Sequence, residues 1–329
     1  MLSNTLSLTP FAALLSLTPL ALGCSSPADN GDAPGASTGS PAAMSLPELE
    51  VVSEQKLSKI VDAGTDHHEA SGVCAQGGYL YVVFDNMKGV AKIPEDLTPG
   101  VMLGGVVETS HYEGITFDGY GTPHFYVIKE TDNDNGQELG KVIQLDAAGA
   151  LEGDEWTDAA FSVSNKGFEG LAWVRAAGDD YLLGLCEGNF CQDDNINIGN
   201  GKLRVMRQQN GAWVTTTTLD IPAEARFRDY SDIALRENGD GTYKIAIVSQ
   251  ESSALWLGTL ATSPSFAFTG QGAAYAFPKA ADGSVVYCNI EGVTFMSDTL
   301  FAMVSDESDG STPCNDKDEM AHIVRVPSP

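Results

Sequence analysis

Glu113-Gly114-Ile115-Thr116-Phe117, Glu169-Gly170-Leu171-Ala172-Trp173 and Glu291-Gly292-Val293-Thr294-Phe295 are one phrase written three times. Two looser copies, Ser71-Gly72-Val73-Cys74 and Ser231-Asp232-Ile233-Ala234-Leu235, make five. Each opening leads through a turn to a second apolar run, at 80–83, 125–128, 182–185, 245–248 and 300–304. Third runs follow at 89–93, 141–145, 203–206, 255–257 and 323–326, and fourth runs at 101–107, 155–163, 213–221 and 266–277. Short apolar runs separated by Gly, Asp and Asn, with no helical period of useful length, are strands.

An internal repeat of four strands is the signature of an all-β, five-bladed β-propeller. The fifth unit ends without a fourth strand. Residues 49–61, ahead of the first unit, are expected to supply it and close the ring. A sixth, degenerate blade and a β-sandwich with coincidental Glu-Gly turns are the alternatives.

In a propeller the first strand of each blade lines the channel. The second strand is antiparallel to it, so the start of the first and the end of the second share a face. Ser71, Glu113, Glu169, Ser231 and Glu291 therefore form one ring at the channel mouth. Asp85, Glu130, Glu187, Gln250-Glu251 and Asp306, which end the second strands, form a wider ring around it. Three carboxylates crowded on one axis must take up protons, pair, or bind a cation. The all-oxygen set suits calcium, which takes six to eight oxygens in loose geometry, better than magnesium. Zinc is disfavoured because the ring offers no Cys or His. The competing reading is a structural ring in which each Glu bonds backbone N–H groups of the next blade and each Gly permits a turn.

The Ser, Glu, Glu, Ser, Glu order resembles the calcium site of the five-bladed calcium-activated apyrase family. The phrases Ser71-Gly72-Val73 followed by Tyr79-Leu80-Tyr81, and Tyr112-Glu113-Gly114-Ile115, resemble it too. Asn165-Lys166-Gly167-Phe168-Glu169-Gly170-Leu171 and Val248-Ser249-Gln250-Glu251-Ser252 are similar to the SdiA-regulated propeller family of bacterial envelopes. Both resemblances imply a propeller and calcium. The apyrase pattern also has an Asp-rich opening segment and an Arg-rich phosphate loop, and neither is found here.

Further candidates face the same mouth. His67, His68 and His111 precede the first two ring positions and are general-base or second-metal candidates, or plain loop residues. Lys129, Arg226 and Arg228 can hold a phosphate or carboxylate, or simply offset nearby acids. Asp132-Asn133-Asp134-Asn135-Gly136 lacks the EF-hand register and reads as a turn between strands.

Leu2 to Gly23 is apolar and ends at Cys24, which predicts a signal peptide over 1–23 with Cys24 as the acylated residue. An ordinary secretory signal is the alternative. Residues 24–47, rich in Ser, Pro, Gly and Ala, form a flexible tether, and 48–329 the propeller. The expected location is the bacterial outer membrane or cell surface, with periplasm or medium as alternatives. Export permits disulfides, expected as Cys186–Cys191 and Cys288–Cys314 with Cys74 a buried thiol, and free thiols throughout are the alternative.

The chain carries 45 acids against 18 bases, a formal net charge of -27. That excludes nucleic acid as a partner and leaves the lipid anchor as the contact with membrane. A monomer is expected. Two functions remain: a calcium-stabilised module that binds a small molecule, glycan or protein on its acidic face, and a calcium-dependent phosphohydrolase.

Overall fold

The computed structural model describes residues 46–327 apart from 63, 65–66, 104–110, 120–122, 163–165, 189–198, 200 and 308–312. The leader, Cys24, most of the tether and Cys191 lie outside the described residues.

β1 (Glu50–Lys56) is followed by one helical turn, α1 (Leu57–Ile60). The first meander is β2 (Ala70–Gln76), β3 (Tyr79–Phe84), β4 (Val90–Pro94) and β5 (Val101–Leu103). The second is β6 (Tyr112–Asp118), β7 (His124–Asp134), β8 (Gln137–Asp146) and β9 (Leu151–Phe161). The third is β10 (Phe168–Ala176), β11 (Asp179–Cys186), β12 (Lys202–Gln209) and β13 (Ala212–Asp220). The fourth is β14 (Asp232–Glu237), β15 (Thr242–Ser249), β16 (Ala254–Ala261) and β17 (Ala267–Ala276). The last is β18 (Ile290–Phe295), β19 (Leu300–Ser305) and β20 (Met320–Arg325), and β1 pairs antiparallel with β20 as its fourth strand.

The first strands neighbour one another in the order β2, β6, β10, β14, β18 and back to β2, which closes a ring. The buried apolar side chains fall into wedges between successive sheets. One joins β11 and β12 to β15 and β16 through Leu183, Val205, Ile245 and Trp256. Another joins the last sheet to the first through Val304, Ile323, Val73 and Phe84. Stability thus comes from sheet-on-sheet burial around a ring, and the molecule is an all-β propeller.

Residues 49–61 close the ring as expected, but not as one strand. Leu57 and Ile60, the two ends of the four-residue helical turn, are buried against the first sheet, so the closing segment leaves β1 and plugs a wedge. The 132–136 stretch is the tip of the β7–β8 hairpin. Asn135 (φ 53°) and Gly136 (φ 90°) supply the left-handed pair that a tight hairpin needs. Cys288 and Cys314 are joined, with Cα atoms 5.6 Å apart, and Cys74 is a buried free thiol. Cys186 is also disulfide-bonded, and its expected partner Cys191 lies outside the described residues.

One acid organises the closing seam. Glu54 on β1 accepts from Lys317 Nζ, from Tyr287 OH at 3.0 Å, and lies 3.3 Å from the fully buried His322 Nδ1. The His322 bond, partly opposed by burial and helped by Lys317 and Tyr287, holds the Glu54 carboxyl down at about 2. A carboxyl lowered on folding stabilises above its unfolded pKa and loses that effect as pH falls through the folded one. Glu54→Gln should therefore lower the melting temperature most above pH 4.5, with the difference from wild type shrinking towards pH 2. A difference constant over that range would show that the charge at Glu54 contributes nothing.

Candidate metal centre

Four of the five ring positions owe their direction to a register fault. Ala70 pairs with Phe84 and Gly72 with Val83, so Ser71 is the extra residue of a β-bulge. Glu113, Glu169 and Glu291 are the extra residues at the same place in β6, β10 and β18. In the fourth sheet Ser231 gives its N–H to Val248 O, and the next residue, Asp232, also faces Val248. A bulge breaks the alternation of a strand and re-aims one side chain, and repeating it converges side chains at one end of the inner strands.

The glycine after each ring position answers to crowding. A Cβ on Gly72 would lie 2.6 Å from Glu113 O, on Gly114 2.6 Å from Leu171 N, and on Gly170 2.8 Å from Ile233 N. Each inner strand therefore touches the next one backbone to backbone. Asp232 stands at the equivalent place in the fourth sheet. Its carboxylate accepts the N–H groups of Ile233 and of Val293 across the ring, both at 2.8 Å.

At the mouth Asp85, Glu113, Glu130, Glu169, Glu187, Glu291 and Asp306 line a single cavity of about 270 Å³ with Gln250 and Lys166. Every second strand contributes, through Asp85, Glu130, Glu187, Gln250 and Asp306, so the wider ring is complete. Gln250 rather than the exposed Glu251 represents the fourth sheet. Ser71 and Ser231 are buried and are not among the lining residues. Ser231 Oγ accepts the Gln250 N–H at 3.1 Å, whereas Ser71 Oγ has no partner among the described residues. Glu187 Oε2 is likewise buried without one.

The electrostatics are those of an uncompensated anion cluster. Burial, then the charges of Asp85, Glu130 and other neighbours, raises the Glu113 carboxyl well above the usual range. The same causes act on Glu169 through Glu113 and Glu130, and on Glu291 through Asp306 and Glu113. Burial first and Glu187 second push Glu130 up to about 7. Burial, with Glu69 and Asp85 adding, pushes Asp306 to about 7 against the bond from the Glu307 N–H. Carboxylate oxygens of Glu130, Glu169 and Glu187 lie within 4.8 Å of one another. Among the described residues Lys166 is the one basic side chain lining the cavity, and its Nζ is 2.6 Å from Glu187 Oε1.

The remaining candidates spread around the rim. His111 Nδ1 is 2.8 Å from Asp85 Oδ1, and His67 Nδ1 is 3.0 Å from Glu307 Oε2. His68 is buried, with Nε2 3.3 Å from Val61 O. Lys129 points away from the cavity and pairs with Asp132 at 3.1 Å. Arg226 and Arg228 are exposed and do not line the cavity. A second cavity, of about 210 Å³, lies farther along the same five strands, among Cys74, Thr116, Trp173, Ala234 and Thr294.

Neither a protein-family model nor a curated protein matches this sequence. Solved structures do match, among them three β-propeller-like enzymes. A GH43_1 enzyme from Xanthomonas citri complexed with xylose is 14% identical, with a TM-score of 0.50, over 84% of this chain and 90% of that one. Myxococcus xanthus glutaminyl cyclase is 11% identical, with a TM-score of 0.50, over 85% and 97%. A levansucrase variant of B. subtilis is 7% identical, with a TM-score of 0.50, over 83% and 86%. At these identities the likeness carries the fold alone.

Proposed function

We propose that this chain is an exported β-propeller whose acidic mouth holds a calcium ion and serves as a binding module for a small molecule, glycan or protein. One observation carries the reading: among the described residues seven carboxylates from the inner and second strands meet around one cavity with a single lysine. A hard divalent cation relieves that repulsion and accepts oxygens at variable number and distance. The donor set fits, since it is all oxygen, and Glu187 Oε2, buried without a partner among the described residues, is the kind of atom that a bound ion or its water satisfies. Export, with acylation of Cys24, belongs to the same proposal and agrees with a disulfide-bonded domain.

The phosphohydrolase reading needs a basic group placed to hold a phosphoryl group beside the ion. Lys166 is engaged with Glu187, and Arg226 and Arg228 stand outside the cavity. The binding module is therefore favoured. Titration calorimetry of the chelator-treated domain should show saturable calcium binding and weaker magnesium binding. No heat above dilution would end the reading. Turnover of nucleoside diphosphates at tens per second or so, an ordinary enzymatic rate, would replace it with the hydrolase.

A further inference from the structure

We infer that Lys166 is a tethered competitor for the cation position: its ammonium occupies Glu187, beside Glu130 and Glu169, in the metal-free protein and swings out when a divalent ion arrives. This rests on the cation reading above and adds to it a built-in control of affinity.

The geometry around Lys166 separates a fixed backbone from a movable head. The next residue, Gly167, gives its N–H to Glu130 Oε1 at 3.0 Å and takes the Glu187 N–H on its carbonyl at 3.3 Å. A Cβ on Gly167 would lie 2.3 Å from Glu130 O, so the backbone here is pressed onto the second sheet. Glu169, two residues on from Gly167, projects from the β10 bulge into the same space. Lys166-Gly167-Phe168-Glu169 thus brings an ammonium, a backbone donor and a carboxylate to one corner of the mouth.

The ammonium is held by one charge-assisted hydrogen bond, to Glu187. Nζ lies 2.6 Å from Glu187 Oε1, and Glu187 is one of three residues, with Glu130 and Glu169, whose carboxylate oxygens come within 4.8 Å of one another. Those oxygens are also what a calcium ion would take, and two cations cannot share them. Burial pulls the Lys166 ammonium down, but the Glu187 bond and the charges of Glu187, Glu169 and Glu130 outweigh it and leave it raised. Its side chain is 39% exposed, so four methylenes of stem have an open route to solvent. A lysine, as a compact point charge on a flexible stem, suits displacement better than a forked, bidentate arginine. A purely positioning role makes the opposite forecast: a lysine that orients Glu187 for the ion would weaken binding when removed.

Calcium titration of wild type and Lys166→Met decides between them. The variant is expected to bind calcium about tenfold more tightly, because one positive charge no longer opposes the ion. Equal or weaker binding by the variant overturns the inference while leaving the calcium reading intact. A wild-type protein that takes no calcium overturns both. Should the variant not fold, acylation of Lys166 in wild type, read by peptide mass spectrometry, gives the same decision without a substitution. Reactivity should rise on adding calcium, and unchanged or lower reactivity overturns the displacement.

Discussion

Deletion of residues 49–61 should abolish the folded monomer. β1 pairs with β20 from Glu50–Arg325 to Lys56–Met320 and supplies the fourth strand of the last sheet. Without it, β20 is left as an open edge, which favours pairing with other chains. The deletion also removes Leu49, Leu57, Ile60 and Val61, all buried. At about 1.5–3 kcal/mol for each fully buried aliphatic side chain, their loss approaches the roughly 5–15 kcal/mol that holds a typical domain together. The seam loses its polar centre as well, since Glu54 joins Tyr287, Lys317 and His322, and Lys56 Nζ gives a bond to Asp318 O at 2.6 Å. Buried His322 would lose its carboxylate partner and keep its contact with Ser305 Oγ at 3.2 Å and its edge contact with the Tyr287 ring. Thermal melting and size-exclusion chromatography read the outcome. A truncated chain that stays monomeric with an unchanged melting temperature would show that the ring is closed some other way.

The closing strand was legible because a repeat counts its own strands, and a missing fourth strand in the last unit is visible as a shortage. The acidic mouth was legible for a related reason. Antiparallel pairing fixes which strand ends share a face, so naming the openings also named Asp85, Glu130, Glu187 and Asp306. Lys129 precedes Glu130 on β7, and neighbours on a strand face opposite sides, so it pairs with Asp132 while Glu130 lines the cavity. The bulges were not legible, since a register fault exists only relative to the partner strand, and single-strand patterning does not carry it. The role of the glycines was half legible. Their recurrence marks a constraint, but the constraint is contact with the next inner strand, which needs the ring in three dimensions. Lys166 sits three residues before Glu169, ahead of β10, where no alternation yet assigns a direction.

Glu169→Gln should reverse sign between calcium and chelator. Calcium bound to the folded form alone adds on the order of 2–4 kcal/mol at a hundred- to thousandfold excess over its dissociation constant, or roughly 4–15 °C of melting temperature in a domain of this size. The substitution removes one charge from a hard-cation site, so the calcium-induced rise should shrink. In chelator the same substitution removes an anion crowded by Glu113, Glu130, Glu187 and Glu291, so the variant should melt at or above wild type. The pH dependence shares this origin. Carboxyls raised on folding stabilise below their unfolded pKa and lose that effect as pH rises through the folded one. With Glu130 and Asp306 both pushed up to about 7, chelated wild type should lose stability as pH climbs from the ordinary carboxyl range towards 7, and the calcium response should grow over the same interval. A structural ring makes different forecasts. If Glu169 served only as a hydrogen-bond acceptor, Gln would destabilise in both buffers alike, and calcium would move neither melting curve. Four melting curves, two proteins in two buffers, separate these cases, and superimposable wild-type curves would remove the metal from the mouth.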